Sequence, residues 1–62
     1  MMLSTALRLA AEQGCEMEPV EQGARWCIRA IGYDADATEI SARELARISE
    51  AEFLAEWLPQ RL

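Results

Sequence analysis

Residues 15–31 read CEMEPVEQGARWCIRAI, and the alternation in this stretch decides the fold. Cys15, Met17 and Pro19 alternate with Glu16, Glu18 and Val20. Beyond Glu21-Gln22-Gly23-Ala24, the set Trp26, Ile28 and Ala30 alternates with Arg25, Cys27, Arg29 and Ile31. A period of two marks a strand with one buried face, so strands are predicted over 15–20 and 25–31, joined as an antiparallel hairpin.

The loop length sets the register. The two apolar sets share a face only if the loop holds an even number of residues, because a slip by one flips every side chain. Four loop residues place Met17 opposite Ile28, Pro19 opposite Trp26 and Glu16 opposite Arg29. Pro19 then falls at a non-hydrogen-bonded pair, where its missing N–H costs nothing. The same register turns Cys15 inward and Cys27 outward, so the two thiols cannot bridge.

Working outward from the hairpin, residues 4–13 fit a helix capped by Ser4, with Leu3, Leu7 and Ala10 on its apolar side. Gly14 suits the left-handed position that follows a helix. Thr38-Glu39-Ile40 has room to add a short third strand. The last third carries two Ser-x-x-Glu capping signals, Ser41 with Glu44 and Ser49 with Glu52. In one continuous helix, Leu45 and Ile48 would point away from Phe53, Leu54, Trp57 and Leu58. Two helices, over 42–47 and 50–58 with a break at Ser49, bury both sets. The expectation is a single small α+β domain over 1–62: an N-terminal helix, an antiparallel β-hairpin with a possible third strand, and two short C-terminal helices on one sheet face.

Composition narrows the function. The 62 residues carry 6 arginines against 11 acids, a net charge of −5, with no Lys, His or Asn. Arg- and Ala-rich usage without Lys or Asn matches the residue bias of a GC-rich bacterial or phage genome. The acidic balance argues against direct nucleic-acid binding. No apolar run approaches a membrane span, and the first residues lack the layout of a secretory signal, so a cytoplasmic protein with reduced thiols is expected.

Catalytic chemistry finds little support. Without His or Lys, the usual proton shuttles and Schiff-base nucleophiles are missing. Two cysteines cannot close a zinc site within one chain, and no cofactor or metal is expected. Glu52 and Glu56, one helical turn apart, occupy a solvated face, while Ser41 and Ser49 serve as caps. Trp26 and Trp57 read first as core residues.

Two surfaces remain. The outer face of the hairpin gathers Val20, Arg25, Cys27, Arg29 and Ile31 with Glu16 and Glu18, a mixed patch able to pair with itself across a two-fold axis. Its best-placed ion pair is Glu16 with Arg29. The acidic residues Asp34, Asp36, Glu39, Glu52 and Glu56 form the second, which could imitate a phosphate backbone in the basic groove of a nucleic-acid-binding protein. A core this small favours a second copy of the chain. The leading expectation is a non-catalytic protein-interaction module that self-associates; the alternative is an acidic inhibitor or nucleic-acid mimic of phage type.

Overall fold

The computed structural model describes residues 1–32 and 36–59. Its elements run α1 (Leu3–Glu12), β1 (Cys15–Val20), β2 (Arg25–Ala30), β3 (Thr38–Ser41), α2 (Ala42–Arg47) and α3, an α-helical turn over Glu50–Glu52 that continues as a π-helix over Phe53–Trp57. The sheet is antiparallel in the order β1-β2-β3, with β2 central.

The hairpin register follows from the face matching. Met17 lies opposite Ile28, Pro19 opposite Trp26 and Glu16 opposite Arg29. The Ile31 N–H donates to Gly14 O at 2.8 Å, and this bond sets the phase of the ladder. Counting pairs from it leaves Pro19 and Trp26 at a non-hydrogen-bonded position. The loop takes three successive residues into the left-handed region, Glu21, Gln22 and Gly23 at φ 51°, 59° and 93°. β2 ends one residue earlier than expected, at Ala30, and Ile31 is exposed.

β3 joins β2 with Trp26 opposite Ile40 and Ile28 opposite Thr38. The inner face therefore carries Cys15, Met17, Trp26, Ile28, Ala30, Thr38 and Ile40. All three helices pack on this face: Ala6, Leu9 and Ala10 of α1, Leu45 and Ile48 at α2, and Phe53 and Leu58 at α3 complete one core with Cys15, Ile28, Ala30 and Ile40. Phe53, Ile28 and Ile40 are the largest side chains fully buried. Trp26 and Trp57 are half-buried at its border.

Three local expectations are corrected. α1 starts at Leu3 with Met2 as its N-cap and no side-chain cap, so Ser4 lies inside the first turn. Its buried stripe is Ala6, Leu9 and Ala10, whereas Leu3 and Leu7 are exposed. Two small alanines let the helix backbone settle close to the sheet, which the larger leucines would hold away. In α3, Leu54 is exposed rather than inward. Phe53 is buried within the helix, and Leu58 reaches the core only where the chain leaves the helix in an extended conformation at ψ 140°.

The break between α2 and α3 forms where the capping signals place it. Ile48 and Ser49 are extended, at ψ 158° and 164°. Ser41 Oγ accepts from the Glu44 N–H at 3.0 Å, and Ser49 Oγ from the Glu52 N–H at 3.1 Å. The Met1 ammonium donates to the carbonyls of Leu45, Ala46 and Ile48 at the end of α2. At the far end of α3, the Thr38 hydroxyl donates to Trp57 O at 2.6 Å, satisfying a carbonyl that the helix end leaves open. Thr38→Val is isosteric and removes only this donor. It should destabilise the fold by about 1–2 kcal/mol in urea denaturation; an unchanged midpoint would mean that water replaces the bond without cost.

Candidate functional site

With every helix on the inner face, the outer face of the sheet is left uncovered among the described residues. It is a lattice of three columns. β2 contributes Arg25, Cys27 and Arg29 down the centre; β1 contributes Glu16, Glu18 and Val20 on one side; β3 contributes Glu39 and Ser41 on the other. Cys27 sits directly between Glu18 and Glu39 across the strands, and between Arg25 and Arg29 along its own strand.

The charges are in contact. Arg25 pairs with Glu21 at 2.9 Å and Glu39 at 3.6 Å, and Arg29 pairs with Glu18 at 3.6 Å. Arg29 Nη2 also donates to Cys27 Sγ at 3.7 Å. The expected partner of Arg29 was Glu16, its direct neighbour across the strands. The long guanidinium side chain instead takes the diagonal to Glu18, folding back over the short Cys27, and such diagonal contacts are within reach of long side chains. The Cys27 contact, then the Glu18 charge, raise the Arg29 pKa above its ordinary value. A raised pKa on a base contributes stability that is fully present below its ordinary value and is lost only as pH rises through the raised one, so it is constant across the neutral range. Both arginines stay about half exposed, at 44% and 47%, so these pairs contribute little to stability.

The structure places Val20, Arg25, Cys27 and Arg29 on this one face, with Val20 and Cys27 half-buried and the arginines exposed. Ile31 follows β2 at its end, 57% exposed. By sequence alone Glu39 groups with the acidic residues. Pairing of β3 instead makes Glu39 the counterpart of Glu18 on the other side of Cys27. The signal was available: once Ile40 is taken as inward, its neighbour Glu39 must point outward.

The acidic group is consequently divided. Asp36 is exposed just before β3, and Asp34 lies outside the described residues. Glu52 and Glu56 project from α3, on the opposite side of the sheet from Glu39. With Trp57 they line an open hollow of about 280 Å³. Neither carboxylate has an ion-pair partner among the described residues.

Neither cysteine is in a disulfide: Cys15 is buried, 3% exposed, with its thiol donating to Gln13 O at 3.8 Å, and Cys27 is half-buried on the other face. Among the described residues, no three metal-ligating side chains converge, and no helix is long and apolar enough to cross a membrane. No protein-family model matches the chain, and neither a curated protein nor a solved structure does.

Proposed function

We propose that this chain is a non-catalytic protein-interaction module that binds through the outer face of its sheet and associates with itself. The observation that carries the reading is the segregation of the fold: the helices and the core lie on one side, and the other side presents Val20 and Cys27 within a ring of Arg and Glu. Half-buried apolar groups framed by charges are the composition of a protein-binding patch with a polar rim. The non-catalytic part of the reading is supported by what the candidate nucleophiles are doing. Ser41 and Ser49 accept capping bonds, and Cys15 is enclosed in the core.

One observation favours a second reading, an acidic inhibitor that occupies a basic groove. Glu52 and Glu56 stand beside Trp57 with no neutralising cation among the described residues, so their field is free to act on a partner.

A tagged pull-down from a bacterial lysate under reducing conditions separates the two. The probes are the wild-type chain, Arg29→Glu, and the double variant Glu52→Arg with Glu56→Arg. On the sheet-face reading, Arg29→Glu loses the partner and the helix variant keeps it. On the acidic reading the pattern reverses, and the complex weakens steeply as salt screens it over about 8–10 Å. Capture unaffected by either variant would reject both surfaces.

A further inference from the structure

The charges around Cys27 are arranged as a cross, and the arrangement prescribes how a second copy would dock. Along β2 both arms of the cross are positive, Arg25 and Arg29. Across the strands both arms are negative, Glu18 and Glu39. The arms are of comparable length, about 7 Å for two residues along a strand and about 5 Å for a step between strands.

We infer that the occupant of the outer face is a second copy of this chain, docked face to face with the strands crossing at about 90° around Cys27. The inference rests on the interaction-module reading and adds its geometry. Packed sheets adopt one of two arrangements, nearly aligned or orthogonal. A two-fold axis lying between the sheets along either the strands or their perpendicular brings Arg onto Arg and Glu onto Glu, so aligned packing is repulsive at all four arms. An axis at about 45° to the strands turns the positive arm of one copy onto the negative arm of the other. Arg25 and Arg29 then meet Glu18 and Glu39 of the second copy, and the reverse holds by symmetry.

Cys27 at the centre faces its own counterpart, and its short side chain lets the longer charged arms reach across a sheet spacing of about 10 Å. The face is small. Two strands about 20 Å long and one of about 13 Å, about 4.8 Å apart, cover roughly 250 Å² in projection, below a standard interface of about 800 Å² per partner. The dimer is therefore weak and reversible, with exposed ion pairs that salt screens.

The test exchanges the cross without changing net charge. A variant with Arg25→Glu, Arg29→Glu, Glu18→Arg and Glu39→Arg is complementary to itself in the orthogonal arrangement, whereas Arg25→Glu with Arg29→Glu alone leaves four negative arms that repel one another in any arrangement. Sedimentation from about 10 to 500 μM, a range chosen for a weak complex, should show wild type and exchanged variant each dimerising with similar affinity. The variant with four negative arms should dimerise at least about tenfold more weakly than either.

The wild type alone gives an independent readout: a short bismaleimide should link Cys27 to Cys27 across the dimer, lose its product at high salt and give none with Cys27→Ser. Dimerisation of the four-negative variant as tight as wild type, or an exchanged variant that fails to recover it, would overturn the orthogonal geometry, as would a dimer that Cys27 cannot link. A wild-type chain monomeric throughout the range would overturn self-pairing altogether. In that last case, partner capture that still depends on Arg29 would leave the interaction-module reading standing, whereas capture indifferent to Arg29→Glu would remove it as well.

Discussion

Phe53→Ala is expected to leave a chain without a cooperative folded state. Phe53 has no exposed surface and is among the three largest side chains fully enclosed in the core. It enters the core at the junction where α3 turns from α to π geometry, and its N–H donates to Ser49 O at 3.0 Å. Truncating a buried Phe costs about 3–5 kcal/mol, part of it the lost transfer energy and part the cavity that neighbours only partly fill. A chain of this size has little to lose, since a core below roughly 70–80 residues rarely supplies more than about 3–5 kcal/mol. The loss is as large as the whole stability, so at most about half of the chains would stay folded even without denaturant and the native baseline should be lost. Near-ultraviolet circular dichroism should lose its aromatic signal, and urea should give no sigmoidal transition. Phe53→Leu keeps most of the volume and should remain folded, weakened by about 1–2 kcal/mol. A Phe53→Ala chain that unfolds cooperatively within about 1 kcal/mol of wild type would show that the core has another centre.

What the sequence discloses about this fold follows the strength of its local signals. In the hairpin, the matching of the two alternating faces and the position of Pro19 agree on one register. At Ser49, two capping signals and two incompatible apolar stripes point to one break, and both hydroxyls accept the expected bonds. α1 lacks such agreement. Its apolar residues outnumber what one face can bury, and only the sheet beneath decides that Ala6, Leu9 and Ala10 face inward while Leu3 and Leu7 do not. The π-turn in α3 was illegible for a related reason. No residue in Phe53–Trp57 signals it, and the pattern does not show that Leu58 leaves the helix extended while Leu54 stays exposed. The candidate site was readable residue by residue but not as a pattern. Arg25, Cys27 and Arg29 come from the alternation of one strand, whereas the cross around Cys27 exists only after β3 brings Glu39 to its other flank.

The face assignment on which the candidate site depends meets its most direct trial at two adjacent positions of β2. Serine at position 28 and serine at position 27 should give opposite results. Ile28 is fully buried on the inner face of the central strand, opposite Met17 on one side and Thr38 on the other. Ile28→Ser removes about as much apolar volume as a change to Ala, which costs about 2–5 kcal/mol. It also buries a hydroxyl among apolar neighbours, a further penalty of about 1–3 kcal/mol where no partner is in reach. The sum exceeds what a domain of this size holds, so Ile28→Ser should not fold. Cys27 lies one residue away on the outer face, half-buried, and among the described residues its sulfur accepts the surface contact from Arg29 at 3.7 Å. Cys27→Ser preserves shape and keeps an acceptor for that guanidinium, so its urea midpoint should stay within about 0.5 kcal/mol of wild type. That contrast would also validate Cys27→Ser as a folded control for the cross-linking experiment. If both variants fold equally well, or if Cys27→Ser is the more damaging, β2 is turned over and the charged face belongs inside.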